Sequence, residues 1–326
     1  MKQKSLTELL HNVEAYLAQS ELNGEPAQLY APIIYSMEEG GKRLRPMLTL
    51  LACGIFGDEP EAAMPCAAAV EFFHNFTLLH DDIMDKADKR RGKPTVHKVW
   101  NENTAILSGD AMLTLAYQIL AECRPNVLKK LLDIFSKTAM EVYEGQQFDM
   151  EFETRNDVTE AEYINMIRLK TSVLIANCMK MGAMLAGASQ QDADNLYAYG
   201  ETVGLAFQLQ DDLLDVYGDP KVFGKKIGGD ICCNKKTFLL IKAMELASPA
   251  QREEMERRMA QENFDPEEKI AYFTELYNEL GIKGICEERI AALFGNCDRY
   301  IDAVSVPADR KEAIRNFADS LLNRIH

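Results

Sequence analysis

Apolar residues recur at three- and four-residue spacing along nearly all of the 326-residue chain, as in Met47-Leu48-Leu50-Leu51 and Ala105-Ile106-Met112-Leu113-Leu115-Ile119-Leu120. That is the period of a helix with one buried face, whereas the alternating β-branched and aromatic runs of strands are scarce. The spacing predicts an all-α fold. Prolines punctuate the periodic stretches, and several stand where helices should begin. Asp265-Pro266-Glu267-Glu268 sets a capping carboxylate before a first-turn proline, and Thr159 with Glu162 fits a capping box. About ten to twelve helices are expected on this reading. No Ser/Gly-rich linker, low-complexity tract or fixed-period repeat divides the sequence, so residues 1–326 are expected to form a single domain.

A chain with 47% hydrophobic and 27% charged residues has the balance of a globular protein with a sizeable core. Its net charge of -15 argues against nucleic acid as a partner, because a phosphate backbone is held by a basic surface. The opening residues MKQKSLTELLHNVEAYL interrupt their apolar positions with charges and amides, and no stretch has the length of a membrane span. A cytoplasmic location is expected. The eight cysteines include no C-x-x-C pair and mostly sit among apolar residues, so they read as buried free thiols.

Against this background one short pattern occurs twice, as DDIMD at 81–85 and DDLLD at 211–215. On a helix the first and last aspartates of each run share a face, so Asp81 faces with Asp85 and Asp211 with Asp215. Like charges so placed repel, and FTLLH before the first run and AFQLQ before the second surround the carboxylates with apolar residues. Carboxylates in that setting need a counter-cation. Hard oxygen ligands offered a few at a time suit Mg²⁺, which keeps waters and is shared with substrate phosphates, so the ligand set predicts a diphosphate. The chain also offers cations for such an anion. Gly40-Gly41-Lys42-Arg43-Leu44-Arg45-Pro46 is a glycine-opened basic loop, Arg90-Arg91-Gly92-Lys93 follows the first aspartate run, and Lys225-Lys226 and Lys235-Lys236-Thr237 follow the second.

These motifs, together with SGDAML at 108–113, EGQQFDMEF at 144–152, RLKTSVL at 168–174 and FGKKIGGD at 223–230, occur in an order that resembles the trans-isoprenyl diphosphate (polyprenyl) synthases, through most of the chain. The resemblance implies an isoprenoid-synthase-type helical bundle around a deep central cavity, usually a homodimer. It implies prenyl transfer, in which isopentenyl diphosphate condenses with an allylic diphosphate (dimethylallyl, geranyl or farnesyl) to give farnesyl or geranylgeranyl diphosphate. By the same resemblance, Asp81, Asp82, Asp85, Asp211, Asp212 and Asp215 form the metal site, with three Mg²⁺ ions when substrate is bound. Arg90, Lys170, Lys225 and Lys235 would hold the allylic diphosphate, and Gly41, Lys42, Arg45, His74 and Arg91 isopentenyl diphosphate. Thr171 and Gln208 would lie beside the allylic C1, where positive charge develops, and the C-terminal Arg324 would close over the second substrate.

The resemblance also runs the product tail along the helix that carries the first aspartate run. Phe76 lies five residues before Asp81, about 7.5 Å along a helix, with Phe72 and Phe73 one turn deeper. Phe76, Phe73 and Phe72 are therefore expected to floor the chain at C20 or C15. His80 reads as a core histidine, in contrast to His74. A longer-chain polyprenyl diphosphate synthase is the alternative. A class I terpenoid cyclase fits less well because its second metal motif differs, and a non-catalytic partner subunit would usually have lost an aspartate run. One departure from the family pattern stands at Cys232-Cys233-Asn234, where relatives often carry an Arg-Glu-Gly type sequence.

Overall fold

In the computed structural model, which describes residues 5–19, 22–38, 40–57, 59–219 and 227–322, nearly every element is helical, as the spacing predicts. The helices are α1 (Leu6–Ala18), α2 (Ala27–Met37), α3 (Leu44–Gly54), α4 (Met64–Met84), α5 (Val96–Val99), α6 (Glu102–Leu120), α7 (Pro125–Glu153) and α8 (Glu160–Ile167). Then come α9 (Val173–Leu185), α10 (Gln190–Tyr217), α11 (Gly229–Cys232), α12 (Phe238–Leu246), α13 (Pro249–Met259), α14 (Pro266–Glu279), α15 (Ile282–Asp302) and α16 (Ala308–Leu322). They exceed the expected ten to twelve partly because short turns such as α5 and α11 carry little periodicity to read. Both predicted starts are present. Thr159 and Glu162 close a reciprocal capping box on α8, and Asp265 caps α14 ahead of Pro266.

The chain groups into two compact units that exchange it repeatedly, so neither is a continuous half. The first comprises Met1–Lys137, Ile175–Tyr197 and Ile301–Asn316. Its spine is α4, whose Phe72 and Phe73 are fully buried, with α6 and α3 alongside. Glycines set the approach of these helices. A Cβ on Gly109 of α6 would lie 2.3 Å from His80 Nε2 of α4, and one on Gly182 of α9 would lie 2.1 Å from the Thr49 carbonyl of α3. The run DDIMD occupies the last turn of α4, which ends as Lys86 turns left-handed. A two-stranded hairpin follows, Lys89–Arg90 against Lys93–Pro94, closed by Arg91 and Gly92 at positive φ. Two consecutive positive-φ residues are what a tight hairpin turn requires. In sequence this segment reads only as a basic cluster.

The second unit comprises Thr138–Leu174, Ala198–Tyr300 and Phe317–His326. Its core joins Phe152, Tyr163, Leu209, Leu213, Phe238 and Phe273. Between α8 and α9 the helix widens to a π-helical turn at Arg168–Ser172. Glycines again admit it: a Cβ on Gly145 of α7 would lie 2.3 Å from the Lys170 amide nitrogen, and one on Gly204 of α10 would lie 2.8 Å from Ser172 Cα. Single π turns inside α-helices gather at functional sites, because they re-aim the side chains they carry. Among the described residues no helix is long and apolar enough to cross a membrane. All eight cysteines are free and only Cys233 is exposed, as expected of thiols in a helical core.

Candidate active site

The first aspartate run divides by exposure. Asp82 is buried at 5% exposure, whereas Asp81 is half-buried and Asp85 exposed. Burial raises the pKa of Asp82, and the guanidinium of Arg90, delivered by the hairpin, opposes it. Arg90 Nε reaches both Asp82 oxygens at 2.9 Å, and Nη2 extends to Asp81 Oδ2 at 3.5 Å. One arginine thus neutralises the inward carboxylate and touches the outer one.

The basic loop at residues 40–46 also divides. Gly40 and Gly41 hold positive φ, and Arg43 follows in the left-handed region before α3. Arg43 does not join the other cations: it is 4% exposed, with Nε on Glu14 at 2.8 Å, Nη1 on Glu71 at 2.8 Å and Nη2 on the Met37 carbonyl. It is a structural pin between α1, α2 and α4. Arg45 Nη1, by contrast, donates to His74 Nε2 at 3.1 Å, and the buried Arg45 Nε has no protein partner. Because a guanidinium only donates, His74 must accept through Nε2. Burial, then Arg45, Arg91 and Arg90, hold the imidazole well below its ordinary pKa, so it is neutral at pH 7. Arg91 Nη1 donates to the Gly40 carbonyl and lies 3.1 Å from where a Gly41 Cβ would stand. Lys42 is exposed at the same loop. The structure therefore gathers Gly41, Arg45, His74 and Arg91 at one place, with Lys42 on the loop that bounds it.

In the second unit the division repeats. Asp212 is 5% exposed and Asp215 8%, while Asp211 is half-buried. Asp212 Oδ2 accepts from the Tyr163 hydroxyl, and Oδ1 accepts from Gln208 Nε2 at 3.1 Å. Gln208 Oε1 in turn accepts from the Thr171 hydroxyl at 3.1 Å. Burial, with the neighbouring Asp211, pushes Asp212 up to about 7, against the pull of Tyr163, Gln208 and the Phe238 backbone amide. Asp215 Oδ2 accepts from the Asp230 amide at 3.0 Å.

Lys170, on the π turn, bonds Asp149 Oδ2 at 2.6 Å, and Lys235 lies 3.4 Å from the same oxygen and 3.2 Å from Glu153. Burial raises the pKa of Asp149, yet the two ammonium groups outweigh it and hold the carboxyl below its usual range. In sequence Asp149 stands inside EGQQFDMEF with no role of its own. Its one available signal is a pair of acidic residues, Asp149 and Glu151, alternating with Phe148, Met150 and Phe152.

Lys225, Lys226 and Arg324 lie outside the described residues. The departing loop is well held: buried Lys269 donates to Asn234 Oδ1 at 2.7 Å and approaches the Cys232 carbonyl at 3.4 Å, while Asn234 Nδ2 donates to the Met259 carbonyl. His80 is half-buried and not a core residue, and its Nε2 donates to the Ile106 carbonyl at 3.1 Å. Phe76, 6% exposed, meets His80 at 4.8 Å and Phe73 at 5.7 Å between ring centroids. Phe73 continues to Phe135 at 5.4 Å and Phe135 to Tyr117 at 5.1 Å, an aromatic column to which α6 and α7 contribute.

The profile of the polyprenyl synthetase family matches residues 26–277. The chain belongs to the polyprenyl synthetase family. It is 47% identical to a geranylgeranyl diphosphate synthase of Methanosarcina mazei over 222 residues, 68% of each chain. A crystal structure of a geranylgeranyl pyrophosphate synthase superposes with TM-score 0.93 at 43% identity, covering 99% of this chain and 100% of that one. The Corynebacterium glutamicum geranylgeranyl pyrophosphate synthase, crystallised with isoprenyl diphosphate and magnesium, superposes with TM-score 0.87 at 29% identity, covering 99% and 100%. Like these members of the polyprenyl synthetase family, the chain is a prenyltransferase of the short-chain type.

Proposed function

We propose that the chain condenses isopentenyl diphosphate with dimethylallyl, geranyl and farnesyl diphosphates, giving farnesyl or geranylgeranyl diphosphate. The observation that carries the reading is the shared division of the two aspartate runs. In each, the second aspartate is buried and bonded by protein donors, while the first stays accessible on the helix.

Asp81, Asp85 and Asp211 would hold three Mg²⁺ ions, with Asp82 and Asp215 in support. Among the described residues no three acidic, histidine or cysteine side chains converge on one point. That fits ligation completed by substrate phosphates and water, and the donors are the hard oxygens Mg²⁺ prefers. Bound there, Mg²⁺ supplies Lewis-acid neutralisation of the departing diphosphate.

Arg90, Lys170 and Lys235, with Lys225, hold the allylic diphosphate. Arg90, Lys170 and Lys235 each meet a carboxylate, and would share that charge with a bound anion. Lys42, Arg45, His74 and Arg91 hold isopentenyl diphosphate, to which the unpaired Arg45 Nε offers a donor. The oxygens of Thr171 and Gln208 face the carbon left positive when the C1–O bond breaks. C4 of isopentenyl diphosphate then attacks, and the released diphosphate takes the proton. The interleaving of the two units along the chain supports a single catalytic domain. We place that domain in a cytoplasmic homodimer.

The test incubates purified protein with isopentenyl diphosphate, each allylic diphosphate in turn, and Mg²⁺, and then chromatographs the dephosphorylated alcohols. C15 or C20 alcohols are expected, and no product, or a product from the allylic substrate alone, would remove the reading.

A further inference from the structure

We infer that Tyr163 is a positioning residue for prenyl transfer, acting through Asp212 to fix which end of the Gln208 amide meets the allylic cation. The inference rests on the proposed condensation and on a continuous hydrogen-bond chain inside the second unit. The Tyr163 hydroxyl donates to Asp212 Oδ2, Gln208 Nε2 donates to Asp212 Oδ1, and the Thr171 hydroxyl donates to Gln208 Oε1.

The direction of that chain follows from its anchor. Asp212 accepts at both oxygens, and the amide turns its NH₂ toward Asp212 and its oxygen toward Thr171. Thr171 then spends its single hydrogen on Gln208 Oε1. The lone pairs that remain, on the Thr171 oxygen and on Gln208 Oε1, are the polar groups left for a neighbouring cation. A flipped amide would present N–H groups instead and oppose the same charge.

Asp212 is 5% exposed and takes three donors, the Gln208 amide, the Phe238 backbone amide and the hydroxyl of Tyr163, itself 2% exposed, which fills Oδ2. Losing the hydroxyl leaves that buried oxygen short of a donor and loosens the hold on the amide. Tyr163 stands on α8, just before the π turn that carries Thr171. One short stretch of chain therefore sets both ends of the relay. This also assigns the second aspartate of DDLLD a task distinct from metal ligation, since both of its oxygens already have protein donors.

Tyr163→Phe keeps the ring and removes only the hydroxyl. The variant should lose about tenfold or more in kcat while both KM values stay within about twofold of wild type, because the interaction matters only as C1 becomes positive. The deciding readout compares two unreactive probes in the presence of Mg²⁺. One is an alkylammonium of prenyl length with inorganic diphosphate, which puts a fixed positive charge at C1. The other is the allylic thiodiphosphate, whose C1 is neutral. Tyr163→Phe should weaken the ammonium probe about fivefold or more and leave the thiodiphosphate unchanged. Equal weakening of both, or of neither, would assign Tyr163 a packing role and overturn the inference.

If circular dichroism shows that Tyr163→Phe does not fold, Asp212→Asn carries the same expectation, since it frees the amide to turn over, with the Mg²⁺ midpoint unmoved. A moved midpoint would make Asp212 a metal ligand and overturn the assignment. Failure of the wild-type protein to bind either probe would overturn the condensation reading itself.

Discussion

The two aspartate runs share the pattern DDxxD, and each buries its second carboxylate, yet the two carboxylates are satisfied by different chemistry. Asp82 is met by a full positive charge, Arg90, brought from a tight hairpin eight residues away in sequence. Asp212 is met by neutral donors, Tyr163 and Gln208, inside the helical core. The hairpin beside α4 delivers an arginine that still reaches Asp81, whereas α8 and α10 meet Asp212 with a hydroxyl and an amide. The difference teaches that one local pattern serves two purposes. At the first run the buried carboxylate holds a cation, and at the second it accepts from an amide.

The largest effect should come from what the runs have in common. Asp81→Ala and Asp211→Ala are each expected to cut turnover by about 10³-fold or more, with helicity by circular dichroism unchanged. Near-normal turnover in either would end the comparison, because the accessible aspartates would then not be equivalent.

Breaking the charge pair comes next. Arg90→Ala leaves Asp82 buried without its counter-ion and should lower activity about 100-fold and stability by about 2 kcal/mol, less than for a fully buried pair because Arg90 is 22% exposed. Urea unfolding monitored by helicity checks the second figure. No loss of stability would mean that Asp82 finds another donor.

Arg45→Ala should raise KM for isopentenyl diphosphate about tenfold and leave the allylic KM within about twofold. A rise in the allylic KM instead would show that the basic loop serves the other diphosphate.

Phe76→Ala is expected to lengthen the main product by at least one isoprene unit, with the rate of the first condensation changed only a few-fold, as read by chromatography of the alcohols. Behind Phe76 the column continues through Phe73 to Phe135, so the double variant Phe73→Ala/Phe76→Ala should extend it further. An unchanged distribution in both variants would leave the column as core packing.

The smallest effect is in pH dependence. His74 is held neutral, with a folded-state pKa well below the ordinary 6.5. Between those two values the unfolded chain binds a proton that the folded chain does not, so stability falls as pH falls below about 6.5 and is level above it. His74→Gln removes that window. Relative to the variant, wild-type protein should lose on the order of 2 °C in Tm between pH 7 and pH 5.5. Parallel curves would exclude a buried neutral imidazole.

What the sequence by itself determined was whatever depends on neighbours along one helix. The 3.6-residue period made the chain all-α, the capping patterns at Thr159 and Asp265 located helix starts, and four-residue spacing put Asp81 with Asp85 and Asp211 with Asp215. The order of motifs carried the family.

Tertiary structure alone decided which member of each charged cluster turns inward. Lys42, Arg43 and Arg45 read alike as a basic loop, but Glu71, 28 residues away, claims Arg43, while Arg45 turns to His74 and Lys42 stays exposed. Asp149 is an unremarked acid until Lys235, 86 residues on, reaches it. Asp212 resembles its neighbours until Tyr163, 49 residues before it, fills its second oxygen. Each of these choices turns on desolvation. A charge can be buried only where distant chain supplies its partner, and sequence spacing does not encode that partner's position.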